Sequence, residues 1–84
     1  MNRQQSKTLA ALFTKPTVGN LNFTAIESLV IALGGEVKEG EGSRVALRMG
    51  DAVMHTHRPH PGKEAKKYQV EEAREFLRRA GVEP

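Results

Sequence analysis

All three histidines of the 84-residue chain lie within His55-Thr56-His57-Arg58-Pro59-His60, with arginines and lysines on both sides. An imidazole takes and gives protons near neutral pH. A guanidinium grips a phosphate through parallel N–H donors and stabilises charge that develops on it. Residues 44–67 hold Arg44, Arg48, Arg58, Lys63, Lys66 and Lys67 against Asp51 and Glu64, a net +4. Residues 1–43 balance to zero and residues 68–84 carry −1, which accounts for the +3 of the whole chain. A positive field concentrated on one stretch is the footprint of a polyanionic partner such as a nucleic-acid backbone. The plain alternative is a solvated basic face. His55, His57 and His60 are also a conceivable metal set, but no carboxylate lies among them and the cationic neighbours repel a metal ion, so no metal and no cofactor is expected. A serine nucleophile at Ser43 has no activating partner in the local sequence, and Gly42-Ser43 reads as a turn.

Those residues need a scaffold, and the period of the sequence supplies one. From Ser43 to Met49 apolar and polar residues alternate, Gly50-Asp51 suits a two-residue hairpin loop with glycine first, and Ala52 to His57 is the return strand. Such a loop pairs Met49 with Ala52 and, counting outward, Ala46 with His55 and Arg44 with His57. Directly opposed residues share a sheet face. Val45, Leu47, Met49, Ala52, Met54 and Thr56 then form an apolar face, and Arg44, Ala46, Arg48, Val53, His55 and His57 the other. A one-residue slip would exchange these sets on one strand, so everything hangs on the turn. With this register His57 is placed to take the proton of an RNA 2′-hydroxyl, and Arg44 to stabilise the phosphorane that follows.

Helices flank the strands. Leu9, Leu12 and Phe13 lie on one face of a helix over Arg3–Thr14, stopped by Pro16 and Gly19. Thr24 and Glu27 have capping-box spacing ahead of Ile26, Leu29, Val30 and Leu33, and Gly34-Gly35 ends that helix. Glu36 to Glu39 is a short strand and Gly40-Glu41-Gly42 a turn. Pro59 ends the hairpin and opens a basic loop to Lys67. The last helix runs from about Tyr68 to Ala80, with Val70, Ala73, Phe76, Leu77 and Ala80 on one face and Gly81 as its stop. The ring of Tyr68 is expected to pack on the sheet edge; stacking on a base is the alternative. The order is α-α-β-β-β-α, an α+β fold with a three-stranded antiparallel sheet and helices on one of its faces.

Composition removes several classes of function. A chain of 84 residues, 38% hydrophobic and 27% charged, makes a single domain with a small core. Cysteine is absent, which removes disulfides, thiolate catalysis and cysteine-held zinc. No GxGxxG, Walker or HExxH motif occurs. No apolar run approaches the length of a membrane span and no secretory signal opens the chain, so a cytoplasmic location and no membrane partner are expected.

Four marks then occur in order: Ile26-Glu27-Ser28-Leu29 with Leu33-Gly34, Gly40-Glu41-Gly42-Ser43, His60-Pro61-Gly62-Lys63-Glu64, and Phe76-Leu77-Arg78-Arg79-Ala80-Gly81. In this order and spacing the chain resembles the HicA family, mRNA-cleaving toxins of bacterial and archaeal HicAB toxin–antitoxin pairs. The resemblance implies a core over residues 23–84 like a double-stranded RNA-binding domain, with residues 1–22 an added helix and connector. It implies a metal-independent endoribonuclease of a type II system, with mRNA as substrate and a HicB-like antitoxin as partner. One departure bears on activity. The family reads Gly-Ser-His, with catalysis assigned to that histidine, where this chain reads Gly42-Ser43-Arg44, and arginine stays protonated at physiological pH. The expected catalytic pair is therefore His57 and Arg44, with Ser43, Arg48, His55, His60, Lys63, Lys66 and Lys67 contacting RNA. The alternative is a non-catalytic module that binds RNA or an antitoxin on the same fold.

Overall fold

The computed structural model describes residues 1–84. Its elements are α1 (Arg3–Leu12), α2 (Phe23–Ala32), β1 (Glu36–Glu39), β2 (Arg44–Met49), β3 (Ala52–His57) and α3 (Lys67–Arg79). The strands form one antiparallel sheet in the order β1-β2-β3. The β2–β3 register is the expected one, from Met49 opposite Ala52 out to Arg44 opposite His57. It follows from the turn. Gly50 has φ +59° and no other residue type in the chain has positive φ, so the first loop position is left-handed and Asp51 is not. That combination is a type II′ turn, whose twist matches the strands it joins.

One sheet face is covered by the helices. Val45, Leu47, Ala52 and Met54 from the sheet are buried with Leu9 and Leu12 of α1, Phe23, Ile26, Leu29 and Val30 of α2, and Val70, Ala73, Phe76 and Leu77 of α3. Ala65 of the loop after β3 joins them. The loop is therefore anchored by its own apolar residue: Ala65 N–H donates to the Leu21 carbonyl at 2.8 Å, and Phe23 N–H to the Lys63 carbonyl at 3.0 Å. No helix is long and apolar enough to cross a membrane.

One local expectation is corrected. α2 starts after Asn22, two residues earlier than the Thr24 capping box requires, and no side chain caps it. The carboxylate of Glu27 instead accepts from Arg58 Nε at 3.0 Å and Nη2 at 2.6 Å. A charge-assisted two-point bond to a guanidinium outcompetes a single neutral amide. Arg58 Nη1 also donates to Glu39, so one side chain ties the exit of β3 to α2 and to the end of β1. Tyr68 is 56% exposed and borders a shallow groove beside Val53, Met54 and His55 of the edge strand β3. At the second position of α3 it points away from the stripe of Val70, Ala73, Phe76 and Leu77 that meets the sheet.

Candidate functional site

The face of the sheet away from the helices is built in three rows. β1 pairs Lys38 with Ala46 and Glu36 with Arg48. Combined with the hairpin register, this gives Glu36, Arg48 and Val53 in one row and Lys38, Ala46 and His55 in the next. Arg44 and His57 form the third, completed by Gly40, whose N–H donates to the Arg44 carbonyl at 2.9 Å. Lys38, Arg44, Arg48, His55 and His57 are all exposed. A groove of about 490 Å³ opens over the last two rows, lined by Lys38, Glu39, Gly40, Arg44, Ala46, His55 and His57, with the buried Val45 and Thr56 beneath.

The electrostatics of this groove are simple. The ion pairs of the chain are Arg58–Glu27, Arg58–Glu39 and Arg78–Glu75, so Lys38 and Arg44 have no carboxylate partner. Arg58, by contrast, is spent on structure. The hydrogen bonds that it donates to Glu27, and then to Glu39, raise its pKa above the usual arginine value. No three His, Asp or Glu side chains converge as a metal would require.

Of the residues expected in the site, Arg44, His55 and His57 come together around the groove. Arg48 shares their face but stands one row away, cross-strand from Glu36. Ser43 sits in the turn before β2, where its carbonyl accepts Arg58 N–H at 2.8 Å and lengthens the hairpin ladder. His60, Lys63 and Lys66 lie in the loop after β3 and Lys67 is the first residue of α3, all exposed.

Gln69 joins that loop to the site, and sequence reasoning missed it. Its side chain is 2% exposed and all three of its hydrogen-bonding groups are used. Oε1 accepts Lys66 N–H at 2.9 Å, while Nε2 donates to Thr56 Oγ1 at 2.8 Å and to the His57 carbonyl at 2.7 Å. One amide therefore spans from the basic loop to the strand end that carries His57. The available signal was its position: Gln69, Ala73 and Phe76 share a helical stripe, and a polar residue there needs partners inside the fold. Lys38 was missed too. Pairing Val37 with Leu47 would have put Lys38 beside Ala46, but four residues of β1 fix a register poorly from sequence.

Comparison with curated proteins and with solved structures gives no significant match. Comparison with protein families does. The family described as HicA toxin of bacterial toxin-antitoxin matches residues 24–82, which include α2 from its second residue, the whole sheet, the basic loop and α3. Since that stretch is well over half of the chain, the protein belongs to the HicA toxin family, whose members act with an antitoxin partner in bacterial toxin–antitoxin systems.

Proposed function

We propose that the protein is a metal-independent endoribonuclease toxin that cleaves mRNA on the open sheet face and is neutralised by a HicB-like antitoxin. The observation that carries this is the cross-strand pair Arg44 and His57, both exposed and both lining the groove. Opposed residues on one strand pair have Cβ atoms about 4.5–5.5 Å apart, so one phosphodiester can meet both side chains. The His57 imidazole takes the proton of the 2′-hydroxyl. The 2′-oxygen then bonds to the adjacent phosphorus, the bond from phosphorus to the 5′-oxygen breaks, and water protonates that departing oxygen. Arg44 donates to the non-bridging oxygens, whose charge grows in the transition state. The products are a 2′,3′-cyclic phosphate and a 5′-hydroxyl. Arg48, His55, His60, Lys63, Lys66 and Lys67 serve as contacts along the strand, and Ser43 as a turn-borne hydroxyl beside Arg44.

A second reading has one specific observation behind it. Residue 44 is arginine, which cannot act as a base, where the resemblance described above implies histidine. On that reading the chain binds RNA, or its antitoxin, without cleaving.

Purified wild type, His57→Ala and Arg44→His, each incubated with mRNA in EDTA and, separately, with added metal, separate the two. The nuclease reading expects His57→Ala to lose cleavage and growth inhibition by about 10²–10⁴-fold while still binding RNA, the usual loss when a positioned base is removed. Arg44→His keeps or raises activity. Equal cleavage by wild type and His57→Ala removes His57 as the base. If only Arg44→His cleaves, with or without added metal, the natural chain is a binding module.

A further inference from the structure

We propose that the depression over Ala46 is a nucleobase pocket, which makes single-stranded RNA the ligand of the open face. The proposal rests on the reading of that face as an RNA-binding surface and names the class of RNA it takes. The two floor positions, Gly40 and Ala46, carry the smallest side chains of the groove, and Lys38, Arg44, His55 and His57 stand around them. Ala46 is centred between Lys38 on β1 and His55 on β3. With strands roughly 4.8 Å apart, those two side chains rise roughly 10 Å from each other across it. The missing side chain of Gly40 matters as well, because a Cβ there would come within 3.2 Å of Arg44 Cβ.

Such a site suits a base better than a bare phosphate. A phosphate asks only for converging donors, whereas this floor is a methyl group and backbone. Its volume of about 490 Å³ is that of a small-ligand pocket. A base offers apolar faces and polar edges. Imidazole and guanidinium planes both stack on such faces, which describes His55 and Arg44, and the Lys38 ammonium donates to acceptor atoms on an edge. Bases in an A-form duplex are paired and stacked out of reach, so only an unpaired strand can turn one into the pocket.

Ala46→Leu tests this, because the residue is half-buried on the solvent side of a central strand and leucine fills the depression without entering the core. Fluorescence anisotropy at one low salt concentration would compare a short single-stranded RNA, the same strand with abasic positions, and an RNA duplex. Wild type is expected to bind the intact strand roughly 10- to 100-fold more tightly than the abasic strand, the range that base stacking supplies, and more tightly than the duplex. Ala46→Leu, with an unchanged circular dichroism spectrum, is expected to lose that margin while binding the abasic strand as wild type does. Equal binding of intact and abasic strands by wild type overturns the pocket and leaves cleavage by His57 and Arg44 standing. So does an Ala46→Leu variant that binds RNA like wild type but escapes neutralisation by co-expressed antitoxin, which would make the groove a protein-docking site. Absence of any RNA binding by wild type removes the RNA reading of the face along with the pocket.

Discussion

A primary amide has an acceptor oxygen and two N–H donors, and burial leaves each in need of a partner. Gln69 meets all three needs with groups from three places, Lys66 in the loop, Thr56 inside β3 and His57 at its end. Replacing it with leucine keeps the helix and much of the volume, but strands the Lys66 N–H, the Thr56 hydroxyl and the His57 carbonyl. A buried polar group left unpaired costs about 1–3 kcal/mol. Lys66 and His57 are exposed and regain water, so the expected loss is that of the buried Thr56 hydroxyl, about 1–3 kcal/mol. Urea unfolding of Gln69→Leu against wild type measures it, read as a lower midpoint at unchanged slope. A loss below about 0.5 kcal/mol, the usual range of inert surface changes, would mean that the strand end is held by something else. Arg74 is a second residue of this kind. Only 7% exposed, it donates from Nε to the Leu12 carbonyl at 2.7 Å, and from Nη2 to Thr17 Oγ1 at 3.2 Å and the Thr14 carbonyl at 3.4 Å. It thereby closes the C-terminal end of α1.

At the scale of elements, α1 lies outside the family match yet takes part in the core. Leu12 is fully buried and Leu9 is 8% exposed. Burying two such side chains contributes about 3–6 kcal/mol, against a total stability of about 4–13 kcal/mol for 84 residues. Removing residues 1–22 therefore takes away a large part of the margin, together with every hydrogen-bond partner of Arg74. A chain of residues 23–84 is expected to melt well below the full chain, or to lack a cooperative transition. A cooperative melt within a few degrees of wild type would show that α1 is an accessory. The elements that could be read from sequence and those that could not divide along the same line. The hairpin was legible because its code is local: Gly50-Asp51 selects the turn and the alternation on either side selects the faces, so the Arg44–His57 pair followed by counting. The capping box at Thr24 and Glu27 was equally local and was overruled, because Arg58, 31 residues away, offered Glu27 a stronger bond. Gln69 to Thr56 spans 13 residues and Arg74 to Leu12 spans 62. Chemistry at such range is set by which helix lands beside which strand, and periodicity carries no record of it.

Across the whole molecule the net charge of +3 understates the field at the open face. Arg58 is committed to Glu27 and Glu39, Arg74 to carbonyls, and Arg78 to Glu75 and the ring of Phe13, 5.6 Å away. The cations without carboxylate partners at the proposed interface are Lys38, Arg44 and Arg48 on the sheet, and Lys63, Lys66 and Lys67 in the loop and at the start of α3. Glu71, Glu72 and Glu75, the carboxylates of α3, are exposed along that helix. Those carboxylates border the β3 edge beside Val53 and His55, so an approaching polyanion is drawn to the unpaired cations of β1, β2 and the loop. Each phosphate neutralised on a single strand releases counterions and adds about −0.7 to the slope of log K against log salt. If all six cations engage, the slope approaches about −4, and replacing Lys63, Lys66 and Lys67 together by alanine flattens it by about 2. Affinity for one single-stranded RNA, titrated between about 50 and 200 mM salt, reads both numbers. The triple variant keeps Ala65 and the backbone bonds of the loop, so its fold and its groove remain and only the phosphate contacts change. An unchanged slope in that variant would move the RNA path off the loop and confine it to the sheet.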